Sequence, residues 1–148
     1  MNQQWKHLIS TANGHFSSQA YHSALSLYQK ALSLLETDWS IHLQQHPDNA
    51  LAAMMVTHFN LADTWQALDQ AEQACIQFEQ ACSFIHQLIE RPGLSESIRH
   101  SAIRAAGRLD MEWACCVKQH SRNLPEQHKR HYANAHLALE QISYRQMH

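Results

Sequence analysis

Apolar side chains recur every three or four residues along most of this chain, which is the spacing of one face of an α-helix. Proline-containing segments interrupt the stripes at Pro47-Asp48-Asn49, Arg91-Pro92-Gly93 and Asn123-Leu124-Pro125. We therefore predict an all-α fold in a single domain, residues 1–148. It contains about six helices in three antiparallel hairpins, at roughly 3–46, 49–90 and 94–146.

The second helix of this pattern carries two apolar stripes instead of one. The first stripe consists of Tyr21, Ala24, Leu25, Tyr28, Ala31, Leu32, Leu35 and Trp39. The second consists of Leu27, Leu34 and Ile41. A helix that buries two faces lies between neighbouring helices, so we expect this one to have a partner on each side.

Short polar side chains mark the expected starts of two helices. Ser17 and Ser18 are candidate N-caps of the second helix, and Ser95 is a candidate N-cap of the fifth. The end of the second helix stays open, because Thr37-Asp38 can either end it or lie within a helix that continues to His46.

The most informative feature of the pattern is a repeat at 50 residues. Two sets of residues correspond across that distance: Ala12, Ala24, Tyr28 and Ala31, and then Ala62, Ala74, Phe78 and Ala81. Two alanines seven residues apart give a helix a flat surface, which a partner helix can approach to about 8 Å. Hairpins that stack in this way bury the apolar faces that each one alone leaves exposed.

This pattern resembles that of the tetratricopeptide repeats (TPR), whose second helix carries alanine, an aromatic residue and alanine at these spacings. Leu61, Ala62 and Trp65 also match the large, small and aromatic positions of the first helix of the family. The family period is about 34 residues, so a 50-residue spacing implies longer helices. The resemblance covers about residues 5–90 and implies a TPR-like α-solenoid, a right-handed superhelix, with the third hairpin as its cap.

Proteins that resemble this family are adaptors or chaperones that hold a peptide or a partner helix in a concave groove. The resemblance places eight side chains in that groove: Lys6, Ile9, Asn13, Phe16, Val56, Phe59, Asp63 and Gln66. A carboxylate clamp is not expected, because it uses Lys and Asn at fixed positions and Ile9 and Phe59 occupy the first of these. The alternative for Ile9 and Phe59 is packing between hairpins.

Charge and composition narrow the class of partner. Three glycines and three prolines in 148 residues agree with a helical fold, and a formal net charge of −2 gives no general attraction to nucleic acid. No run of about 18 apolar residues occurs, and no apolar run follows a basic start. We expect a cytoplasmic protein that binds protein or peptide, with neither nucleic acid nor membrane as a partner.

The four cysteines do not have the spacing of a disulfide framework. Cys75 and Cys82 lie seven residues apart on one predicted helix, roughly 10 Å along its axis and beyond the reach of a bridge. Cys115 and Cys116 are adjacent, and a bridge between them inside a helix would be strained. Reduced thiols packed as small apolar groups fit a cytoplasmic compartment.

Thirteen histidines are the unusual part of the composition. His42 with His46, and His128 with His131, have spacings that bring two imidazoles to one helix face. A closed zinc site needs four ligands, so these pairs are weak metal candidates and no cofactor is expected. A histidine-rich metal-binding protein is one alternative function, and a self-associating helical bundle such as a homodimer is another.

The sequence contains no motif of a known catalytic site. It has no glycine-rich phosphate loop, no nucleophile elbow and no H-E-x-x-H. Asp110 and Glu112 are two residues apart, so their side chains diverge on a helix and do not act together. We therefore expect a non-enzymatic binding module.

Overall fold

The computed structural model describes residues 3–147, and this part of the chain is all-helical with no strand. Its seven helices are α1 (Gln3–Ser17), α2 (Tyr21–Thr37), α3 (Trp39–Gln45), α4 (Pro47–Ala67), α5 (Ala71–Ile89), α6 (Glu96–Gln119) and α7 (Glu126–Met147). The all-α prediction is confirmed. Within residues 3–147, no helix is both long and apolar enough to cross a lipid bilayer.

The additional helix relative to the expected six is the short α3. The chain leaves helical geometry at Asp38, where φ is −121° and ψ is 40°, and α3 begins at the next residue. Of the two alternatives for the second helix, the structure therefore has the one in which Thr37 is its last residue. Pro47 opens α4, where the missing N–H of proline has no intrahelical partner to lose.

The predicted helix caps have different outcomes. Ser95 caps α6, and its hydroxyl accepts a hydrogen bond of 3.2 Å from the backbone N–H of Ile98. The prediction for Ser17 and Ser18 is wrong, because α1 continues through Ser17 and the N-cap of α2 is Ala20, without a side-chain cap.

The chain divides after Gln70 into two compact units, which we call unit 1 (α1 to α4) and unit 2 (α5 to α7). In unit 1, α2 packs against both α1 and α4, as predicted for a helix between neighbours, and α3 packs against α4. The predicted stripes are wrong at their ends, because Trp39 and Ile41 lie on α3 and Ile41 is 51% exposed. In unit 2, α5 packs against α6, and α7 contacts both. The single domain over residues 1–148 stays a prediction.

The core of unit 1 joins its first two helices to α4. Its buried members are Ile9, Ala12, Ala24, Leu25, Tyr28, Ala31 and Leu61. The three alanines are fully buried, so they bring the helix backbones close together. Trp5 lies at the edge of this cluster, and its indole N–H donates a 3.1 Å hydrogen bond to the Thr57 hydroxyl on α4.

The core of unit 2 is built around one aromatic cluster. Trp113 on α6 is 2% exposed and stacks on Phe78 of α5, with ring centroids 6.4 Å apart and planes inclined by 16°. Tyr132 of α7 meets the same indole edge-on, with centroids 5.4 Å apart. This cluster therefore connects all three helices of the unit.

The 50-residue repeat is also present in the local geometry of two turns. Gln19 and Asp69, which are 50 residues apart, both have left-handed backbone with φ near +60° (64° and 59°). Ala20 N–H donates to His15 O, and Gln70 N–H donates to Trp65 O, in each case at 2.8 Å. Both α1 and α4 thus end in a Schellman motif, with a non-glycine residue at the left-handed position.

Candidate functional site

The candidate site is a cavity in unit 1 at the junction of α1, α2 and α4. Its volume is about 190 Å³. It is lined by Asn13, Phe16, Ser17, Tyr28, Asn60 and Asp63. Side chains that converge on one depression from three helices are typical of a binding site.

Helical spacing explains how these residues come together. Asn13, Phe16 and Ser17 are related by three and four residues on α1, so they lie on one face. Asn60 and Asp63 have the same relation on α4. The packing of α2 against both of these helices then brings Tyr28 to the wall of the cavity.

Tyr28 and Asp63 determine the electrostatics of the cavity. The Tyr28 hydroxyl donates a hydrogen bond to the side-chain oxygen of Asn13. Burial raises the pKa of Tyr28, and the nearby carboxylate of Asp63 raises it further, so the phenol stays neutral at physiological pH. Asp63 itself is exposed, which leaves its charge accessible from solvent.

Phe16 supplies the apolar wall of the cavity. Its ring is half-buried and meets the ring of Tyr21 edge-on, with centroids 5.2 Å apart and planes inclined by 67°. This contact fixes the orientation of the Phe16 ring. The cavity thus combines a carboxylate, two amides, two hydroxyls and one aromatic face, a set suited to recognition by hydrogen bonding.

The structure brings three of the eight predicted groove residues together at this cavity: Asn13, Phe16 and Asp63. Lys6 is exposed on α1, and Val56 is 42% exposed on α4. Phe59 and Gln66 are half-buried on α4. These residues stay predicted partner contacts.

Ile9 has a different position from the other predicted groove residues. It is 8% exposed and belongs to the core of unit 1, beside Ala12 and Leu61. Its burial agrees with the packing alternative, and it leaves little of the side chain for a partner to contact.

Sequence reasoning missed three residues of the cavity: Ser17, Tyr28 and Asn60. Tyr28 is the aromatic residue of the repeated triplet and is 2% exposed, so the pattern indicated packing alone. Its hydroxyl is the polar tip of a buried ring. The matching residue, Phe78, has no hydroxyl, so packing alone does not require one. This difference is the one signal in the sequence that the Tyr28 hydroxyl has a separate use.

The first predicted histidine pair does not lie on one helix. His42 is in α3, while His46 follows the last helical residue and has φ of −143°. The backbone N–H of His46 donates to the carbonyl of His42 at 2.9 Å. The pair therefore belongs to the end of α3, where the backbone turns toward α4.

The second predicted pair lies on α7 and contacts carboxylates of α5. His128 Nε2 is 3.6 Å from Glu72 Oε1, and His131 Nδ1 is 3.2 Å from Glu79 Oε2. Among the described residues, no group of three or more His, Cys, Asp or Glu side chains is arranged to hold a metal ion. Both imidazoles therefore lie where α7 faces α5.

A third histidine of α7 has a similar arrangement, which the sequence did not predict. His136 Nδ1 is 3.0 Å from Asp110 Oδ1 on α6, and His136 Nε2 is 3.0 Å from Glu140 Oε1. The hydrogen bond and charge of Asp110 raise the pKa of His136.

The cysteines are free thiols in the structure. Cys75, Cys82 and Cys116 are buried and Cys115 is exposed. Burial, with smaller contributions from Asp110 and Glu79, raises the pKa of Cys82 to about 11. Its thiol is therefore protonated at neutral pH and is a poor nucleophile.

The comparisons with known proteins place the chain in a family. A family model described as "Protein of unknown function (DUF2753)" matches residues 3–148. No curated protein and no solved structure matches the chain. Because the family model covers almost the whole sequence, the chain belongs to the DUF2753 family.

Proposed function

We propose that this chain is a non-enzymatic protein–protein interaction module, an adaptor or small chaperone of the cytoplasm with a TPR-like arrangement of helices. It binds a peptide or a partner helix on the surface of unit 1 formed by Lys6, Asn13, Phe16, Val56 and Asp63, which we call the α1–α4 face. The cavity between α1, α2 and α4 carries this proposal, because it gathers polar and aromatic side chains from three helices.

The chemistry of the α1–α4 face supports binding of a polypeptide. Val56 adds apolar surface, at 42% exposure, on the same helix as Asp63 of the cavity. Apolar contacts supply affinity to such a complex, while the few polar groups fix the register of the bound segment. One packed core lies beneath α1 and α4, and a surface that is ordered before binding lowers the entropic cost of binding.

The surroundings of the histidines favour this function over metal binding. His128 and His131 each lie near a carboxylate of α5, which gives these side chains a role in holding α7. For these two histidines, the carboxylates supply a partner within the protein.

The experiment compares partner capture by three forms of the full chain. Wild type, Val56→Asp and Met111→Asp are immobilised and exposed to native lysate of the source cell, and the retained proteins are quantified by mass spectrometry. Met111 is the matched control, because it is 69% exposed on α6 of unit 2. We expect a defined protein to be retained by wild type and by Met111→Asp, and reduced at least tenfold with Val56→Asp.

Thermal unfolding of the three forms must coincide, so that lost capture is not lost folding. Equal retention by all three forms would contradict the α1–α4 face as the binding surface. Retention of no protein above an empty matrix would contradict the adaptor function.

A further inference from the structure

We infer that the cavity of unit 1 binds a cationic side chain, arginine or lysine, of the partner segment. This inference rests on the proposed function and adds the chemical class of the bound group. The observation that carries it is the lining of one small cavity, which contains the carboxylate of Asp63, the aromatic ring of Phe16 and several polar side chains.

The charge of the cavity and of its surroundings is negative. Of the six described residues that line the cavity, Asp63 is the one with a formal charge. Residues 1–70 contain two lysines, no arginine and five carboxylates, for a formal net charge of −3 with neutral histidine. Residues 71–148 have a formal net charge of +1. The negative field of the first half attracts a basic segment before contact.

The hydrogen-bonding groups have the polarity that such a ligand requires. The Tyr28 hydroxyl donates its proton to Asn13, so its oxygen is left with acceptor capacity alone. Ser17 adds a hydroxyl, Asn60 adds an amide group, and Asp63 adds its carboxylate. Arginine and lysine side chains carry donors only, so an acceptor such as the Asp63 carboxylate suits them.

Phe16 supports the carbon part of the same ligand. Its ring is held edge-on by Tyr21, and it forms one wall of the cavity. Arginine and lysine bury their aliphatic stems along apolar surface, and their charged groups are attracted to the face of an aromatic ring. A small acidic site without this wall would lack such contact.

The size of the cavity limits what enters. At about 190 Å³ it lies below the range of roughly 300 to 1,000 Å³ that is typical of small-molecule pockets. A single side chain is a ligand of the right scale. The rest of the partner segment then lies across the α1–α4 face.

An anionic ligand is disfavoured by the carboxylate of Asp63. The Asp63 carboxylate lines the cavity, and its charge adds to the larger effect of burial in raising the pKa of Tyr28. A carboxylate or phosphate that entered would meet this repulsion and would also lose its hydration. The site thus has the opposite charge preference from a carboxylate clamp.

The test uses the full chain labelled with ¹⁵N and titrated with Nα-acetyl-arginine amide. The citrulline analogue is the matched control ligand, because it has the same shape without the charge. We expect amide shifts clustered around the cavity, with an affinity of about 1 mM or weaker, as suits a single side chain. We expect at least tenfold weaker binding for citrulline amide.

Two substitutions in the same unit make the test specific. Asp63→Asn removes the charge and keeps the shape, and we expect it to weaken arginine binding at least tenfold. Asp69→Asn removes an equal charge at the end of α4, outside the cavity, and should leave binding within twofold. The inference is overturned if citrulline binds as well as arginine, if Asp63→Asn has no effect, or if both substitutions weaken binding equally.

The outcomes also separate this inference from the proposed function. If Val56→Asp abolishes partner capture while Asp63→Asn changes neither capture nor arginine binding, the module binds its partner without a cation in the cavity. If arginine binds at the cavity but no partner is captured, the cation site exists and the adaptor function is wrong.

Discussion

Unit 1 and unit 2 use the same small and aromatic residues in their cores, but they hold their last helix in different ways. In unit 1, α4 joins the others through the apolar core and the hydrogen bond from Trp5 to Thr57. In unit 2, α7 packs on Trp113 of α6 through Tyr132, and it also places His128, His131 and His136 beside carboxylates of α5 and α6. The comparison teaches that similar small and aromatic cores can be combined with a hydrogen bond in one unit and with imidazole–carboxylate contacts in the other.

The two units also contain histidines with opposite pKa shifts. Burial lowers the pKa of His58, on α4 of unit 1, to about 4, so folding favours its neutral form. Asp110 raises the pKa of His136 in unit 2, so folding favours its charged form. Unit 2 also contains His86, and burial lowers the pKa of this residue. The difference between the units must therefore be tested at single histidines.

The largest expected effect is the loss of the aromatic cluster in unit 2. Trp113→Ala removes the ring that contacts both Phe78 and Tyr132, and buried Trp to Ala changes cost about 3 to 5 kcal/mol. Urea unfolding should show this decrease, with faster amide exchange in residues 71–147. Met111→Ala is the control on the same helix, at 69% exposure, and should change stability little. Unchanged exchange in α5 and α7 would contradict the central role of Trp113.

The second effect is the loss of stability of unit 1 in acid. The folded pKa of His58 is about 4, below the ordinary 6.5. Its contribution to the free energy of unfolding is therefore complete above pH 6.5 and is lost as pH falls toward 4. At pH 5 the loss from this one group is about 2 kcal/mol. His58→Gln, which never gains a charge, should reduce the difference in unfolding free energy between neutral pH and pH 5 by that amount. The matched change at the exposed His22, His22→Gln, should not. An equal acid loss in the His58→Gln variant would exclude His58 as the cause.

A smaller effect is expected at the two equivalent turns. Gln19 and Asp69 both have left-handed backbone, a conformation that costs a non-glycine residue about 1 kcal/mol. Gln19→Gly should therefore raise the unfolding free energy by up to about 1 kcal/mol. The gain for Asp69→Gly should be smaller, because Asp adopts this conformation more readily than Gln. A larger gain at Asp69 would show that the two turns differ in more than their sequence, and a loss at both positions would contradict backbone strain as the dominant cost.

The smallest effect on stability is expected at His136. The quantity to measure there is the pKa of the imidazole, by NMR, instead of the free energy of unfolding. Asp110→Asn removes the main cause of the raised pKa, so imidazole NMR should show the pKa of His136 move toward 6.5. In the wild type, the stabilising contact is complete below about pH 6.5 and is lost as pH rises through the folded pKa. Glu112→Gln, on the exposed side of α6, is the control and should leave the His136 titration unchanged. A His136 pKa unaffected by Asp110→Asn would remove the proposed contrast with His58.

The repeated positions show how much of the fold the sequence could predict. Ala12, Ala24, Ala31, Ala62, Ala74 and Ala81 are all fully buried, and Tyr28 and Phe78 are each 2% exposed. Side-chain size at helical spacing decides these positions, so the pattern alone was sufficient. The cap at Ser95 was predictable for a similar reason, because its hydrogen bond to Ile98 is local.

The features that escaped prediction depend on contacts distant in sequence or on weak local preferences. The contact between His136 and Asp110 spans 26 residues, and it requires the register of α7 on α6, which no pattern in α7 specifies. The cavity needs Tyr28 beside Asp63 from another helix. The break at Asp38 had only a weak signal, and neither Schellman turn contains the glycine that usually marks such a motif.

The position of Trp113 makes it an optical reporter for half of the molecule. The other three tryptophans, Trp5, Trp39 and Trp65, all precede residue 71, so Trp113 is the single indole of residues 71–148. Its emission reports on the ring of Tyr132 from α7, and Tyr132 in turn lies next to His136, with ring centroids 5.9 Å apart. In a form with the three earlier tryptophans replaced by phenylalanine, fluorescence would follow the departure of α7 from unit 2 without any added label.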